Sequence, residues 1–313
     1  MSPDPALTHR FRAPLGAIDD AITPVGIAVS GGPDSLALLL LAHAAWPGRI
    51  RAATVDHRLR AESGDEADRV AALCAARGIP HAILVPEGAI TGSLQAAART
   101  ARYALLDQWR TREGASCVMT AHHADDQAET VLMRLNRGAG VSGLAGIRKT
   151  NGHLLRPLLG WRRSELEAIV AAAGIVAVTD PSNSDPRFDR VRMRQALAAA
   201  TWIDVAALAR SASHLADAAE ALDWAAAQLL PERVTEEGTA LRLDPRDLPE
   251  EMVRRLLVAA VVRHDPAVRP SGPELDRALA ALRAGARTSL GALVLTGGPS
   301  WHIAPATPRR TGG

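Results

Sequence analysis

Cysteine is nearly absent, with Cys74 and Cys117 the only two in 313 residues. That excludes a disulfide framework and any multi-cysteine zinc or iron–sulfur site. Lysine is scarcer still: Lys149 stands alone, and every other Lys/Arg position is arginine. In so alanine-rich a chain this reads as codon composition. No long hydrophobic run occurs. The most apolar one, Leu36 to Trp46, has eleven residues and contains His43, against the ~20 a membrane-spanning helix needs. Met1 to Leu15 lacks the apolar core of a signal peptide. An excess of one charge is also lacking. The net charge is +2, too small to announce nucleic-acid binding by itself. With 47% hydrophobic and 22% charged residues, the chain is globular, one large domain or two ordinary ones. A cytoplasmic, reducing location fits, with no membrane partner.

Strand and helix patterns alternate from residue 25 to about 121. Val25–Val29, Ala52–Asp56, Ala82–Val85 and Cys117–Ala121 are short apolar strand candidates. Helices are expected at Asp34–Ala45, at Gly64–Arg77 before Gly78, from a Ser93 cap to about Arg112, and from Asp126 to Leu135. This alternation predicts a doubly wound α/β fold with a parallel sheet, its ligand edge at the strand C-termini. After Arg137 the pattern breaks into a glycine-bearing basic loop. From Arg134 to Arg163 there are seven basic residues and no acidic one. Such a segment attracts phosphate, although a solvated loop has the same look. Ser164-Glu165-Leu166-Glu167 reads as a capping box for a helix ending at Gly174. The remainder reads as helical over 191–229, 249–263 and 273–283. A β-hairpin of Ser289–Leu295 and Trp301–Ala304 follows, around Gly297-Gly298. The expected domains are an N-terminal segment 1–22, a nucleotide-binding catalytic domain 23–199, and a smaller, mostly helical domain 200–313 ending in that hairpin.

Two motifs carry chemistry. Ser30-Gly31-Gly32-Pro33-Asp34-Ser35 follows the first strand and opens a helix. Its glycines let backbone approach an anion, and its amides, hydroxyls and helix N-terminus donate to phosphate. It lacks the lysine of the G-x-x-x-x-G-K-[ST] loop. The second motif, Ala121-His122-His123-Ala124-Asp125-Asp126-Gln127-Ala128-Glu129-Thr130, sits where the fourth strand gives way to a helix. Asp126 and Glu129 share a helix face. They suit a magnesium ion bridging phosphates, or an attacking amine; an ordinary N-cap with surface histidines has the same spacing. Zinc is disfavoured, because no further nitrogen or sulfur ligand stands at the usual spacing.

The first hexapeptide resembles the PP-loop of the ATP pyrophosphatases. The run Ala121–Arg137, with Gly138-Ala139-Gly140 and Gly143-Leu144-Ala145-Gly146-Ile147, resembles the tRNA(Ile)-lysidine synthetase family. Four further blocks are similar to that family: Asp56-His57-Arg58-Leu59-Arg60, Ala98-Arg99-Thr100-Ala101-Arg102-Tyr103, Arg156-Pro157-Leu158-Leu159 and Asp180-Pro181-Ser182-Asn183. Together the matches run in order over about residues 25 to 195. The resemblance implies ATP-dependent ligation of free L-lysine to the wobble cytidine of the CAU-anticodon isoleucine tRNA. The cytidine is first adenylylated and lysine then displaces AMP. The product, lysidine, reads AUA instead of AUG. Transferred to this sequence, the resemblance implies catalytic roles for Asp126, Asp34 and Arg99. It implies ATP binding by Ser30, Gly31, Gly32, Pro33, Asp34, Ser35, Asp56 and Arg102, and lysine binding by Asp126, Glu129 and His123. Arg134, Arg137, Arg148, Lys149 and Arg156 would meet tRNA, and Asp34 with Asp126 would hold Mg2+. Oligomeric state is left open, with a homodimer among the expected partners. One departure is Val191, where the family often has asparagine in an R-N-x-x-R block.

Other readings are a PP-loop tRNA thiolase, an amide-forming synthetase, and a non-catalytic tRNA- or nucleotide-binding module. The lack of a CxxC pattern argues against the first, and the lack of an ammonia-generating domain against the second. Intact Asp34, Asp126 and Glu129 argue against the third. Cys74 and Cys117 read as small core residues. Trp161, within the basic segment, is a candidate for stacking a base.

Overall fold

The computed structural model describes residues 2–19, 23–58, 62–86, 94–178, 185 and 187–306. The 180–183 block, Leu59, Arg60 and the expected Ser93 cap lie outside these. The chain divides into two compact units, Met1–His214 and Leu215–Gly313. The division falls inside one long helix.

The first unit begins with helix α1 (Pro5–Arg12), capped by the Asp4 carboxylate on Ala6 N at 2.7 Å, and a short turn of helix, α2 (Gly16–Asp19). Strand β1 (Val25–Ala28) leads into α3 (Pro33–Ala45), β2 (Ile50–Val55), α4 (Ser63–Ala75), β3 (His81–Leu84), α5 (Leu94–Arg112), β4 (Val118–Met119) and α6 (Ala124–Leu135). The elements therefore follow the predicted alternation. The glycine-bearing basic segment beyond them has regular structure of its own. It contains α7 (Val141–Leu144), then β5 (Thr150–Asn151) and β6 (Leu154–Leu155). Helices α8 (Arg163–Ala172) and α9 (Asp189–Ala199) complete the unit, and α10 (Val205–Arg233) spans the division. The predicted continuous helix from residue 191 is thus broken at 200–204. The α8 start is also earlier than expected. Arg162 is the extended N-cap residue, and its N–H donates to Glu165 Oε2 at 2.8 Å.

The sheet order is β3-β2-β1-β4-β6-β5, parallel except for the β5–β6 pair at its edge. Helix α3 is apolar on every side, Leu36 to Ala42 being buried without exception, and this suits a helix enclosed by the domain. It belongs to a core with Phe11, Ile27, Val70 and Leu166. Burying each such leucine contributes roughly 1.5–3 kcal/mol. A second core contains Trp109, Leu106 and Val118. Gly26 in β1 is required there, since a Cβ would lie 2.9 Å from the Trp109 ring. Chain order reverses between β1 and β4. Their C-terminal ends therefore flank the crevice where such sheets bind ligands.

In the second unit, helices α11 (Glu250–His264) and α12 (Gly272–Arg283) pack on a five-stranded antiparallel sheet. Its strands are β7 (Val234–Glu237), β8 (Ala240–Leu243), β9 (Arg287–Leu290), β10 (Leu293–Thr296) and β11 (Trp301–Pro305), ordered β7-β8-β11-β10-β9. The predicted hairpin is present as β10–β11, but it is part of a larger sheet. The 289–295 run bends back at Gly291, whose φ is +57°, to make two strands of what reads as one.

Candidate active site

The loop after β1 closes on itself. Ser30 N–H and Ser30 Oγ approach Ser35 Oγ at 3.1 and 3.2 Å, and Ser35 Oγ donates to Gly32 O at 2.9 Å. Gly31 adopts φ +83° and sits so close to Val178 that a Cβ would meet Cγ2 at 3.1 Å. Pro33 occupies the start of α3, where its missing N–H costs nothing. Asp34 follows in the first turn, at the positive end of the helix.

Across the crevice, α6 begins with a capping box in which a histidine replaces the usual serine. Asp126 N–H donates to His123 Nδ1 at 3.4 Å, and His123 N–H donates to Asp126 Oδ2 at 3.1 Å. In the neutral ring, Nδ1 is then the acceptor and Nε2 carries the proton. His123 Nε2 lies 3.5 Å from both Asp34 Oδ2 and Asp126 Oδ2. The two motifs, about ninety residues apart in sequence, thus converge on one buried imidazole. Burial alone would lower the His123 pKa. The hydrogen bond to Asp34 and the charges of Asp126, Asp34 and Asp125 outweigh it and raise the value. Its neighbour behaves oppositely. Burial, helped by Arg156, Arg99 and Arg190 against the pull of Asp126, pushes His122 down to about 4.

Asp34, His122 and Asp126 border a cleft of about 260 Å³. Ser30, Gly32, Asp34 and Ser35 line one side, with Thr120, His122 and Asp126 from the β4 end. Arg102, Tyr103 and Arg190 add to the lining, and Ala28, Val29, Val55 and Leu106 supply an apolar wall. Two larger hollows, about 670 and 500 Å³, lie beside α1 and contain neither motif. Chemistry, not size, selects the cleft.

Asp34 Oδ1 is buried without a hydrogen-bond partner among the described residues. An oxygen so placed, with the Asp34 and Asp126 carboxylates meeting the same His123 nitrogen, suits Mg2+. That ion takes one or two carboxylates and completes its shell with phosphate and water. Among the described residues no group of three or more His, Cys, Asp or Glu is placed to hold a metal ion.

The remaining predicted residues are distributed unevenly. Asp56 is buried at the end of β2, and its Oδ1 accepts from Arg58 N at 2.8 Å. Arg102 reaches His57 Nε2 at 3.5 Å and faces the cleft. Arg99 does not line the cleft; its guanidinium lies 5.0 Å over the Tyr103 ring. Glu129 is buried and bonded to Arg194 Nε at 2.7 Å, so its carboxylate has a partner within the chain. Arg137 is exposed and paired with Asp189 at 3.1 Å. Lys149 is exposed, with Nζ donating to Pro14 O at 3.1 Å. Arg134 is half-buried and Arg156 buried, each bonded to backbone carbonyls. Trp161 is not a free stacking surface. It is 3% exposed and covered by the Arg10 guanidinium at 3.9 Å. Both thiols sit in apolar surroundings, and burial pushes Cys74 up to about 11.

Several supporting residues were given no site role from the sequence. Arg190 lines the cleft. Arg190 and Arg194 sit one turn apart on α9, a spacing that presents both to α6, with Arg190 Nη2 reaching Thr130 Oγ1 at 3.4 Å. Val191, in the position of the family's asparagine, is buried. Asp125 clamps the start of α8. Its Oδ1 accepts from Arg162 Nη2 at 3.1 Å, and its Oδ2 accepts from Arg163 N at 2.9 Å. Burial would raise the Asp125 pKa, but these bonds hold its carboxyl below the ordinary value of 3.8. A depressed carboxyl stabilises the fold above its unfolded pKa, and that contribution is lost as pH falls through the folded value. Asp125→Asn is therefore expected to lower the melting temperature at pH 6. The gap from the parent chain should close progressively below about pH 3.8. A gap independent of pH in a melting series would show that the charge is not what stabilises.

A serine-glycine loop that closes on its own hydroxyls and opens a helix at the sheet's reversal point defines a PP-loop domain, and the model of that domain matches residues 7–201. The likeness extends over nearly the whole chain in individual relatives. The tRNA(Ile)-lysidine synthase of Novosphingobium aromaticivorans is 50% identical over 289 residues, covering 90% of this chain and 88% of that protein. That of Zymomonas mobilis is 43% identical, covering 91% and 89%, and that of Methylobacterium sp. (strain 4-46) is 42% identical, covering 99% and 96%. The chain belongs to the tRNA(Ile)-lysidine synthase family. Among solved structures, the U34-tRNA thiolase NcsA from Methanococcus maripaludis with its [4Fe-4S] cluster shares the fold. The TM-score is 0.56 at 18% identity, over 67% of this chain and 77% of that one.

Proposed function

We propose that this chain joins free L-lysine to the wobble cytidine of the CAU-anticodon isoleucine tRNA, using ATP. The observation that carries the reading is the meeting of Asp34 and Asp126 at His123 Nε2, each at 3.5 Å. It supports reading the serine-glycine loop as the phosphate site and Asp126, in the same cleft, as the carboxylate that attracts the amine.

The chemistry divides into two displacements. The cytosine carbonyl oxygen is a poor leaving group. Its attack on the α-phosphorus of ATP expels pyrophosphate and converts it into AMP, a good one. The side-chain amine of lysine then attacks the carbon bearing that oxygen. AMP leaves with the bonding pair, and the amine loses its extra proton. The Ser30–Ser35 loop holds phosphates through its amides and hydroxyls. Asp56 at the next strand end and Arg102 from α5 belong to the same nucleotide site. Arg99, stacked over Tyr103, adds positive charge on that side. Mg2+, held by Asp34 and Asp126, would offset charge on the phosphates.

Asp126 draws the lysine ammonium and is the group placed to accept its proton. Glu129 contributes through the charge it shares with Arg194. His123, buried between the two aspartates, keeps their spacing. The anticodon loop is single-stranded, so its cytosine can leave the stack and enter a pocket. These substrates fit a cytoplasmic location. No described helix is long and apolar enough to cross a membrane.

The test is incorporation of labelled lysine into CAU-anticodon isoleucine tRNA. Incorporation should require ATP and fail with methionine tRNA. Pyrophosphate release without lysine incorporation would retain the PP-loop chemistry and overturn the nucleophile. Neither signal from folded protein would favour a binding module.

A further inference from the structure

The basic segment divides by what its side chains touch. Gln127, adjacent to Asp126 on α6, is buried and spends its whole amide on one residue. Ile147 N–H donates to Gln127 Oε1 at 2.6 Å, and Gln127 Nε2 donates to Ile147 O at 3.1 Å. Two turns further along the helix, Arg134 Nη1 donates to Gly143 O at 2.7 Å and to Gly146 O at 3.0 Å. Positions seven apart lie on one helix face, so a single side of α6 grips the loop at both points. Gly146 has φ +64°, and a Cβ there would lie 2.4 Å from Gln127 Oε1. Only glycine permits this approach. Buried Arg156 closes the far end. Its Nη1 donates to Arg148 O at 2.7 Å and its N–H to Lys149 O at 2.9 Å.

We propose that Gln127, Arg134 and Arg156 are positioning residues that preform the 138–149 loop, and that RNA is met by Arg137, Arg148 and Lys149, the first and last of which bond outside the loop, to Asp189 and Pro14 O. This rests on the reading that tRNA passes along this loop, and it removes two of the five predicted RNA-binding residues from direct touch with the RNA. It also gives α6 a double task. The helix that presents Asp126 to the cleft also seats the loop, so the RNA backbone is held in register with that carboxylate.

Positioning and direct binding are separable with variants that keep the charge. In the full-length chain, Gln127→Ala alters no charge. It is expected to raise the Kd for tRNA about tenfold, with the KM for ATP changed less than about twofold. The Ile147 amide should then exchange with solvent at least about tenfold faster. Arg134→Lys keeps the charge on a shorter side chain that cannot reach both carbonyls, and should weaken tRNA binding as Arg134→Met does. If Gln127→Ala fails to fold, as thermal melting will report, the arginine pair decides alone.

Normal binding by Arg134→Lys, beside a weakened Arg134→Met, would make Arg134 a direct phosphate ligand and overturn the proposal. So would a Gln127→Ala variant with a freed Ile147 amide and unchanged tRNA affinity. The underlying reading has its own test. Neutralising Arg148 and Lys149 together should reduce the slope of log K against log salt by about 0.7–0.9 for each phosphate no longer neutralised. An unchanged slope would take the loop off the RNA path and the proposal with it. A reduced slope with unaffected Gln127→Ala binding would overturn the positioning role alone.

Discussion

Asp126→Asn is expected to reduce lysidine formation by roughly 10³-fold, within the range for loss of a positioned acid–base group, while tRNA affinity stays within about twofold. The amide is nearly isosteric with the carboxylate. Its oxygen can still accept the His123 N–H that Asp126 Oδ2 accepts at 3.1 Å, so the start of α6 keeps its cap. What disappears is the charge that attracts the lysine ammonium and the site that takes its proton. Single-turnover incorporation of labelled lysine measures the first quantity and filter binding the second. Equal losses in both would refute the assigned role. Pyrophosphate release adds a division within the reaction. If Asp126 acts mainly on the amine, release with ATP and tRNA survives the substitution. If it acts mainly on the phosphates, release fails too.

Arg194→Met is expected to destabilise the first unit by about 3–5 kcal/mol, the usual cost of leaving a buried ion without its partner. The Glu129 side chain is 2% exposed, and Arg194 Nε is 2.7 Å from Oε1. Methionine fills part of the volume but donates nothing. Helix α9 packs on α6 through this pair and carries Arg190 into the cleft, so turnover should fall together with stability. The double variant Glu129→Gln, Arg194→Met removes the stranded charge and should recover most of the lost stability. Chemical denaturation of the two variants checks this. A cost below about 1 kcal/mol for the single change, or a double variant less stable than either single one, would reject the account.

The parts legible in sequence are those whose signal is local. The hexapeptide at 30–35 and the acidic run at 121–130 each follow a short strand and open a helix, and the switch-point topology brings the two together. What stayed hidden depends on partners far along the chain. Nothing near Glu129 announces that Arg194 will occupy it. Nothing in the 134–163 charge count separates Arg134 and Arg156, which hold carbonyls of the loop itself, from the other cations. Trp161 shows the same limit, since its lid is Arg10, from α1. In the second unit, β7 and β8 are missed because Thr235, Glu236, Glu237 and Arg242 interrupt the apolar alternation. These strands bury little beyond Val234, Leu241 and Leu243. The β9–β10 turn at Gly291 is equally quiet, one glycine inside a run that otherwise reads as a strand.

Lys149 is the chain's single lysine, and it is exposed at the end of the basic loop. A protease specific for lysine therefore has one bond to cut, Lys149–Thr150, and an amine-selective reagent has one side chain to modify. The parent protein can thus carry a fluorophore or crosslinker at the proposed RNA-facing edge without any substitution. Because the substrate also presents a primary amine, the reagent must be removed before lysine is added.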